Sequence, residues 1–468
     1  MTTISLASEK MDAIAHFAEH VTSRSYADIP DAAIAAAKVF ILDTLGVGLA
    51  GSSGPKAQEL ARAQSLWGTG SDARVWATGE GLPAPAVAFC NAYQAHNAEF
   101  DCVHEAAVAH VMSVLLPVAL AGAERMAKIE GKPVDGRRLM EAVVLGVDVA
   151  ASLGLAATSG LRFFRPATVG AFGGTAALGK LMEFDARRLQ HAFALVYGQL
   201  CGNMQAHTEG SLLLAMQMGF NARNAVVACD LARLGFEGPA NILEGPFGYF
   251  KLIEANGDPQ RVIGDLGHVW RITEVAHKPF PSGRATHGII DACLELKHTH
   301  YLKAGHIAEV KACVPPLVHH LVGRSPRTQM TINYARLCAP YVAACVLLRG
   351  TVELKDFTDA AYTDAATQDL ASRVVIEVRD RGDPNALTPV ELEITLRNGA
   401  RLATRVEVVY GNPAKPMTRD AHIAKFMANA ATASRSVSVE QAQTLVALVD
   451  DLEDIKDATR VVDTLVGV

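Results

Sequence analysis

The 468-residue chain has few aromatic residues, 6% in all, and no strong charge of either sign. Its 43 Lys and Arg stand against 49 Asp and Glu, a formal net charge of -6. That balance gives no electrostatic reason to expect a nucleic-acid partner. The eight cysteines, at 90, 102, 201, 229, 293, 313, 338 and 345, form no CxxC pair. Most lie in apolar helical sequence, so they read as small core residues in a reducing cytoplasm, and a structural zinc site is not expected. The start, MTTISLASEKMDAIAHFAEH, lacks the basic head and continuous apolar block of a secretory signal. Stretches free of Asp, Glu, Lys and Arg only just reach the length of a bilayer span, about 18–20 residues. One that reaches this length, AAVAHVMSVLLPVALAGA, contains His110, Ser113 and Pro117 and reads as a core helix, so no membrane is expected. The GxxxxGK[ST] and HExxH patterns are absent, the GxGxxG spacing of GVGLAG (46–51) falls within an expected helix, and GAFGG (170–174) has no clear strand ahead of it. Those glycines suit helices packed at short distance rather than a nucleotide loop.

Half of the residues are hydrophobic, and the length exceeds that of one ordinary core, so two domains are expected. Residues 8–50 read as two helices, the second starting after Ile29-Pro30. Asp43, in the middle of that helix, calls for a partner on a neighbouring helix. Helix-rich sequence continues to about residue 265. The stretch HVWRITEVAHKPFP (268–281) reads as strand, as do HIAEVKACVPP, RVVIEVRD, VELEITLRNG and RLATRVEVVYGN, where apolar and polar residues alternate. Val390, Leu392, Ile394 and Leu396 share one face. Asn398-Gly399 favours a type I′ hairpin turn. From residue 412 the pattern is helical again. The expected organisation is a helical domain from residues 1–267 and 412–468, with a smaller α+β domain, 268–411, inserted between them.

Two polar islands interrupt this apolar sequence. The first, HNAEFDCVHEAAVAH (96–110), lies between two helices that are apolar on every face. Charged groups there are costly unless paired or used, which makes it the leading active-site candidate; the alternative is a self-satisfied capping loop. The second, HKPFPSGRATHGIID (277–291), gathers Lys278, Ser282, Gly283, Arg284 and His287 where a helix begins. Ser282 is a plausible N-cap, and free amides there would suit a carboxylate; the alternative is an ordinary capped helix. Arg165, just before a helix-starting proline, could clamp a carboxylate or pair with an acid on a neighbouring helix. Arg336 and Tyr341 stand five residues apart, and a tyrosine in such sequence is usually core.

Taken in order, FILDTLGVGLAG, residues 96–110, RPATVGAFGGTAALGKLM, LARLGFEGPANILEGPFGYF, KPFPSGRATHGIIDA and ARLCAPYVAACVLLRG resemble the MmgE/PrpD family. That family includes 2-methylcitrate dehydratases, cis-aconitate decarboxylases and iminodisuccinate epimerases. The resemblance covers essentially the whole chain. It implies a mainly α fold, a large all-helical domain with a smaller inserted α+β lid, a homodimer, and a cofactor-free site between the domains. It also implies a small di- or tricarboxylate substrate. The family pattern H-x-x-D-F-D-D is HNAEFDC here: Glu99 stands at the first Asp, Asp101 matches the second, and Cys102 replaces the third. His110 matches the downstream histidine. The family's His-Pro-Thr is Arg165-Pro166-Ala167, and Leu214 stands where a lysine is expected. Lys278, Phe280-Pro281, His287, Arg336 and Tyr341 agree with the family.

The expected chemistry is removal of a proton next to a carboxylate. His110 is the expected base, since its ordinary pKa of about 6.5 is close to neutrality. Glu99 or Asp101 would orient it, and Tyr341 or Lys278 would be the acid. Arg165, Lys278, Arg284 and the Ser282–Gly283 amides would hold the carboxylates, with His104, His287 and Arg336 as further binding residues. Dehydration or epimerisation is preferred over decarboxylation because of the missing lysine and histidine. A metal-dependent hydrolase using His96, Asp101, His104 and His110, or a carboxylate-binding protein without activity, is the reading of another class.

Overall fold

A computed structural model describes residues 11–379 and 382–467. Residues 8–10 of the first expected helix and Asp380 of an expected strand lie outside them. The fold is mainly α. Helices Ala13–Ser23 and Asp31–Ser52 open the chain, and the Asp12 carboxylate caps the first by accepting from the Ile14 N–H at 3.0 Å. Helices Ala84–His96, Met112–Glu130, Gly136–Ala156, Arg165–Leu181 and Leu213–Arg233 pack on one another as the main core. Glycines set their spacing. A methyl added at Gly146 would sit 2.7 Å from the Gly173 carbonyl oxygen, and one at Gly173 would sit 2.8 Å from that of Gly146. The glycines of GAFGG therefore serve packing, as their sequence context indicates.

Asp31–Ser52 and Gly136–Ala156 are long and apolar enough to cross a membrane, yet 72% and 89% of their most apolar windows are buried within the protein. Burial on nearly all faces is what a central helix of a large core requires. Helices Arg419–Ala430 and Val439–Asp450 return to pack on Asp31–Ser52. There Asp43 finds its partner: the Lys425 ammonium donates to it at 2.7 Å.

The two-residue strands β1 (Ala73–Arg74) and β2 (Gly81–Leu82) form a small hairpin. The main sheet contains β3 (Ile307–Val314), β4 (Val374–Val378), β5 (Val390–Leu396) and β6 (Arg401–Val406), in the order β4-β3-β5-β6. β3 and β4 run parallel, and the other neighbours are antiparallel. Val390, Leu392 and Ile394 are buried, and β5 lies on helix His287–Thr299; Leu396 is only half-buried.

Two local expectations fail. Residues 268–281 are not a strand. Arg271–Glu274 is a 3-10 turn, and only Ala276 forms a ladder pair, an isolated bridge to Val103. The apolar residues there bury themselves against neighbouring helices without a strand partner. The Asn398-Gly399 hairpin exists, but its turn is not type I′. Only Gly399 is left-handed (φ 88°), and its N–H donates to the Leu396 carbonyl at 2.9 Å. Arg397 and Asn398 thus occupy the centre of an ordinary turn that ends in a left-handed glycine.

Candidate active site

The Val103–Ala276 bridge joins the two polar islands. Val103 and Ala276 exchange backbone hydrogen bonds at 2.9 and 2.8 Å, which lays residues 99–105 against 276–284. A second bridge, His104–Ala109, folds the first island into a tight loop. Glu99 and Val108 adopt φ of 50° in it. Non-glycine residues held in that region mark a backbone fixed by its surroundings, a common feature of functional loops.

Asp101 is the hub. It is fully buried. Its Oδ2 accepts from His110 Nδ1 at 2.9 Å, from His96 Nδ1 at 2.9 Å and from the Ser113 hydroxyl. Its Oδ1 faces the Lys278 ammonium at 3.7 Å. Lys278 also donates to the Glu99 carboxylate at 3.0 Å and to the Glu99 carbonyl at 3.2 Å. His110 and Lys278 therefore meet on one carboxylate, from opposite sides.

The electrostatics follow from this packing. Burial alone would raise the Asp101 carboxyl, but His110, His96 and Lys278 outweigh it and hold the group well below the usual carboxylate range. Burial likewise works against Glu99, yet Lys278 and the two histidines bring it down to about 2. The two histidines on Asp101 move in opposite directions. Burial disfavours a charge on both. His96 has Asp101 and Glu99 beside it, and these raise it. His110 has Asp101 but also Lys278 and His96, so burial prevails and its pKa falls. His110 is consequently neutral at neutral pH. With Nδ1–H committed to Asp101, its Nε2 lone pair is available as a base.

His110 lines a cavity together with Glu99, Glu105, His207 and Arg284; the rest of the wall is mainly apolar, including Val103, Leu161, Phe164, Met204 and Leu337. His207 has no counterpart among the residues expected from sequence. Its Nδ1 lies 3.3 Å from Arg324 Nη2. A guanidinium can only donate, so Nδ1 accepts and Nε2 carries the proton. Burial and Arg324 lower the His207 pKa to about 3, which makes it a neutral hydrogen-bond donor. Nothing local in QAHTEG reveals this, since the fixing partner lies far along the chain. Glu105 also lines the cavity, and it accepts from Arg284 Nε at 2.6 Å.

Other expected site residues are placed elsewhere. Arg165 is not a substrate clamp. It is fully buried and forms a bidentate pair with Glu254 at 2.9 and 2.8 Å, with further donations to the Ser159 and Ala107 carbonyls. Tyr341 is a core residue: it packs on Phe357 and Tyr362, donates to the Asp356 carbonyl, and does not line the cavity. Arg336 is buried, donates to the Asn97 carbonyl and lies over the Phe357 ring.

Ser282 is not the N-cap, because the α-helix starts at His287 after a 3-10 turn and the Ser282 hydroxyl pairs with that of Thr286. Nor do the Ser282 and Gly283 amides form an anion site; they donate to the Phe280 and Arg336 carbonyls at 2.9 and 3.0 Å. His104 lies off the cavity, with Nε2 on Glu274 and Nδ1 accepting from the Ala107 N–H. His287 stands behind Arg284, its Nδ1 3.2 Å from the guanidinium and its Nε2 3.3 Å from the Ser282 carbonyl. Lys278 is fully buried and off the cavity wall, so it acts as a countercharge to Glu99 and Asp101.

Among the described residues, two groups bring potential metal-ligating atoms within 4.8 Å of one another: His96, Asp101 and His110, and Asp43, His277 and His422. His104 belongs to neither, which removes one ligand from the hydrolase reading. In the first group both histidine Nδ1 atoms point at the same Asp101 oxygen, the arrangement of an imidazole base oriented by a carboxylate.

Comparison with known proteins agrees with this arrangement at the level of family. Residues 15–261 match the MmgE/PrpD N-terminal domain and residues 280–454 the MmgE/PrpD C-terminal domain. The chain is 26% identical to a Homo sapiens cis-aconitate decarboxylase, covering 96% of this chain and 94% of the relative. It is 27% identical to the Mus musculus protein of that name, covering 94% and 90%, and 24% identical to one from Aspergillus terreus, covering 94% and 93%. With both domains matched along nearly its whole length, the chain belongs to the MmgE/PrpD family.

Proposed function

We propose that the protein is a lyase or isomerase that removes the proton next to a carboxylate in a small carboxylic acid, with His110 as the base. The observation that carries this reading is the Asp101–His110 hydrogen bond of 2.9 Å on a histidine that opens onto the cavity. Asp101 fixes the tautomer, stabilises the imidazolium that forms, and is itself held ionised by Lys278 and His96. His110 Nε2 takes the α-proton, and the C–H electron pair moves toward the carboxylate as enolate-like charge. The His207 Nε2–H is suited to meet that charge without adding a formal charge to the cavity. His110 then returns its proton: to a departing β-hydroxyl in a dehydration, or, in an isomerisation, to the carbon after the planar intermediate has turned its other face toward the imidazole. These steps draw only on the chain's own side chains.

The names of the relatives support decarboxylation as a second reading. Against it, Leu214 is buried where the family carries a lysine, and Arg165 is closed on Glu254. An assay of water loss, epimerisation and carbon dioxide release over a set of small acids decides among the three outcomes. In the active assay, His110→Asn is expected to lower kcat on the order of 10²–10⁴ fold, the usual worth of one acid–base group. Unchanged turnover would remove His110 from the chemistry.

A further inference from the structure

The charges on the cavity wall do not suit a tricarboxylate. Two carboxylates, Glu99 and Glu105, line it, and two of the nearby cations are committed to them, Lys278 to Glu99 and Arg284 to Glu105, while Arg324 stands behind His207 and does not line the wall. Arg284 is used further. Its Nη1 donates to the Tyr410 and His277 carbonyls at 2.8 and 3.1 Å, and one Nη2 hydrogen goes to the Val409 carbonyl at 3.4 Å. Of the Arg284 N–H hydrogens, the second on Nη2 has no partner among the described residues. The Arg165 cation is withdrawn into its pair with Glu254, and Leu214 supplies no charge. The rest of the wall is mainly aliphatic, with Phe164 the aromatic exception. A substrate bringing three negative charges would leave at least two of them unpaired beside Glu99 and Glu105, in surroundings that solvate charge poorly.

We propose that the substrate is a small acid with a single carboxylate on a mainly apolar skeleton, the carboxylate taken by the His207 Nε2–H and the remaining Arg284 Nη2–H. The acidic carbon then faces His110 Nε2, and the apolar remainder lies along Val103, Leu161, Met204 and Leu337. This rests on the acid–base reading above and narrows its substrate class below the di- and tricarboxylates that the family resemblance implies. His207 and the Glu105–Arg284 pair become the specificity-determining groups. His207 binds as a neutral donor, and Glu105 repels any second carboxylate.

The test compares four hydroxy acids: 3-hydroxy-4-methylpentanoate and 3-hydroxybutanoate with one carboxylate, malate with two, and citrate with three. Affinity is measured by calorimetry, and exchange of the hydrogens next to the carboxylate by NMR in deuterated water. The expected order of affinity is branched monoacid, then linear monoacid, malate and citrate, with the extremes differing by more than about tenfold. Leu161→Lys, which adds a cation to a half-buried position on the wall, should shift the preference toward malate and citrate. Citrate or malate binding more tightly than both monoacids would overturn the inference, as would no binding of any of the four or an unmoved preference in Leu161→Lys. Deuterium entering malate or citrate alone would overturn it while leaving His110 as the base. Monoacids that bind in the expected order without any deuterium exchange would support the charge argument and sink the acid–base reading instead.

Discussion

At the scale of single residues, the site depends on which groups share a carboxylate. Asp101 serves two histidines and a lysine, and the difference between His96 and His110 lies in their second neighbours. The depressed pKa of His110 has a definite kinetic consequence. On the proposed chemistry His110 acts when deprotonated, so kcat/KM should rise with pH through its pKa and reach a plateau from an acid limb centred below the ordinary 6.5. A limb centred above 6.5 would contradict the burial argument.

Arg165 carries the opposite lesson. Its bidentate pair with Glu254 is buried, so Arg165→Ala leaves an unpaired carboxylate in the core. Loss of about 3–5 kcal/mol is expected, read as a large fall in Tm. A normal Tm with a raised KM would restore the clamp. That His110 needs Glu99 or Asp101 as a carboxylate partner was legible in the sequence, because titratable side chains in apolar surroundings need a use, and folding gives it Asp101. Arg165, Tyr341 and Ser282 were misplaced because their partners, Glu254, the Asp356 carbonyl and Thr286, are set by folding. His207 was missed for the same reason, since its tautomer depends on Arg324, 117 residues away.

At the scale of elements, periodicity was a good guide where one face is buried against a helix or sheet. It failed where apolar residues are buried in an irregular segment. β5 shows the first case, with Val390, Leu392 and Ile394 inward. Residues 268–281 show the second, because the bridge to Val103 gives them only one ladder pair. The small residues of the core helices could be read as packing residues, though not which helix each would meet. Gly146 and Gly173 meet each other across helices Gly136–Ala156 and Arg165–Leu181. Gly146→Val would bring its side chain to within 2.5 Å of Leu115 Cδ1 as well as against the Gly173 carbonyl. Such overpacking costs about 1–3 kcal/mol, and calorimetry should show a lowered Tm with the cavity residues unchanged. A Tm equal to that of the parent protein would show that these helices can move apart freely.

At the scale of the whole molecule, the cavity draws on segments far apart in sequence: residues 99–110, 161–166, 204–207, 283–285 and 321–337. The resemblance in motif order anticipated the mainly α fold and the family, because it samples the entire chain. It could not anticipate how each departure would be absorbed, with Arg165 turned to Glu254 and the cations of the second island matched by Glu99 and Glu105. The claim on which the chemistry depends is that His110 transfers a proton at the carbon next to a carboxylate. The most direct measurement is NMR of that carbon after incubation of the protein with a bound small acid in deuterated water, compared with His110→Asn. We predict deuterium at that position with the parent protein and none above background with the variant. Equal incorporation by both, or none by a parent protein that demonstrably binds the acid, would contradict it.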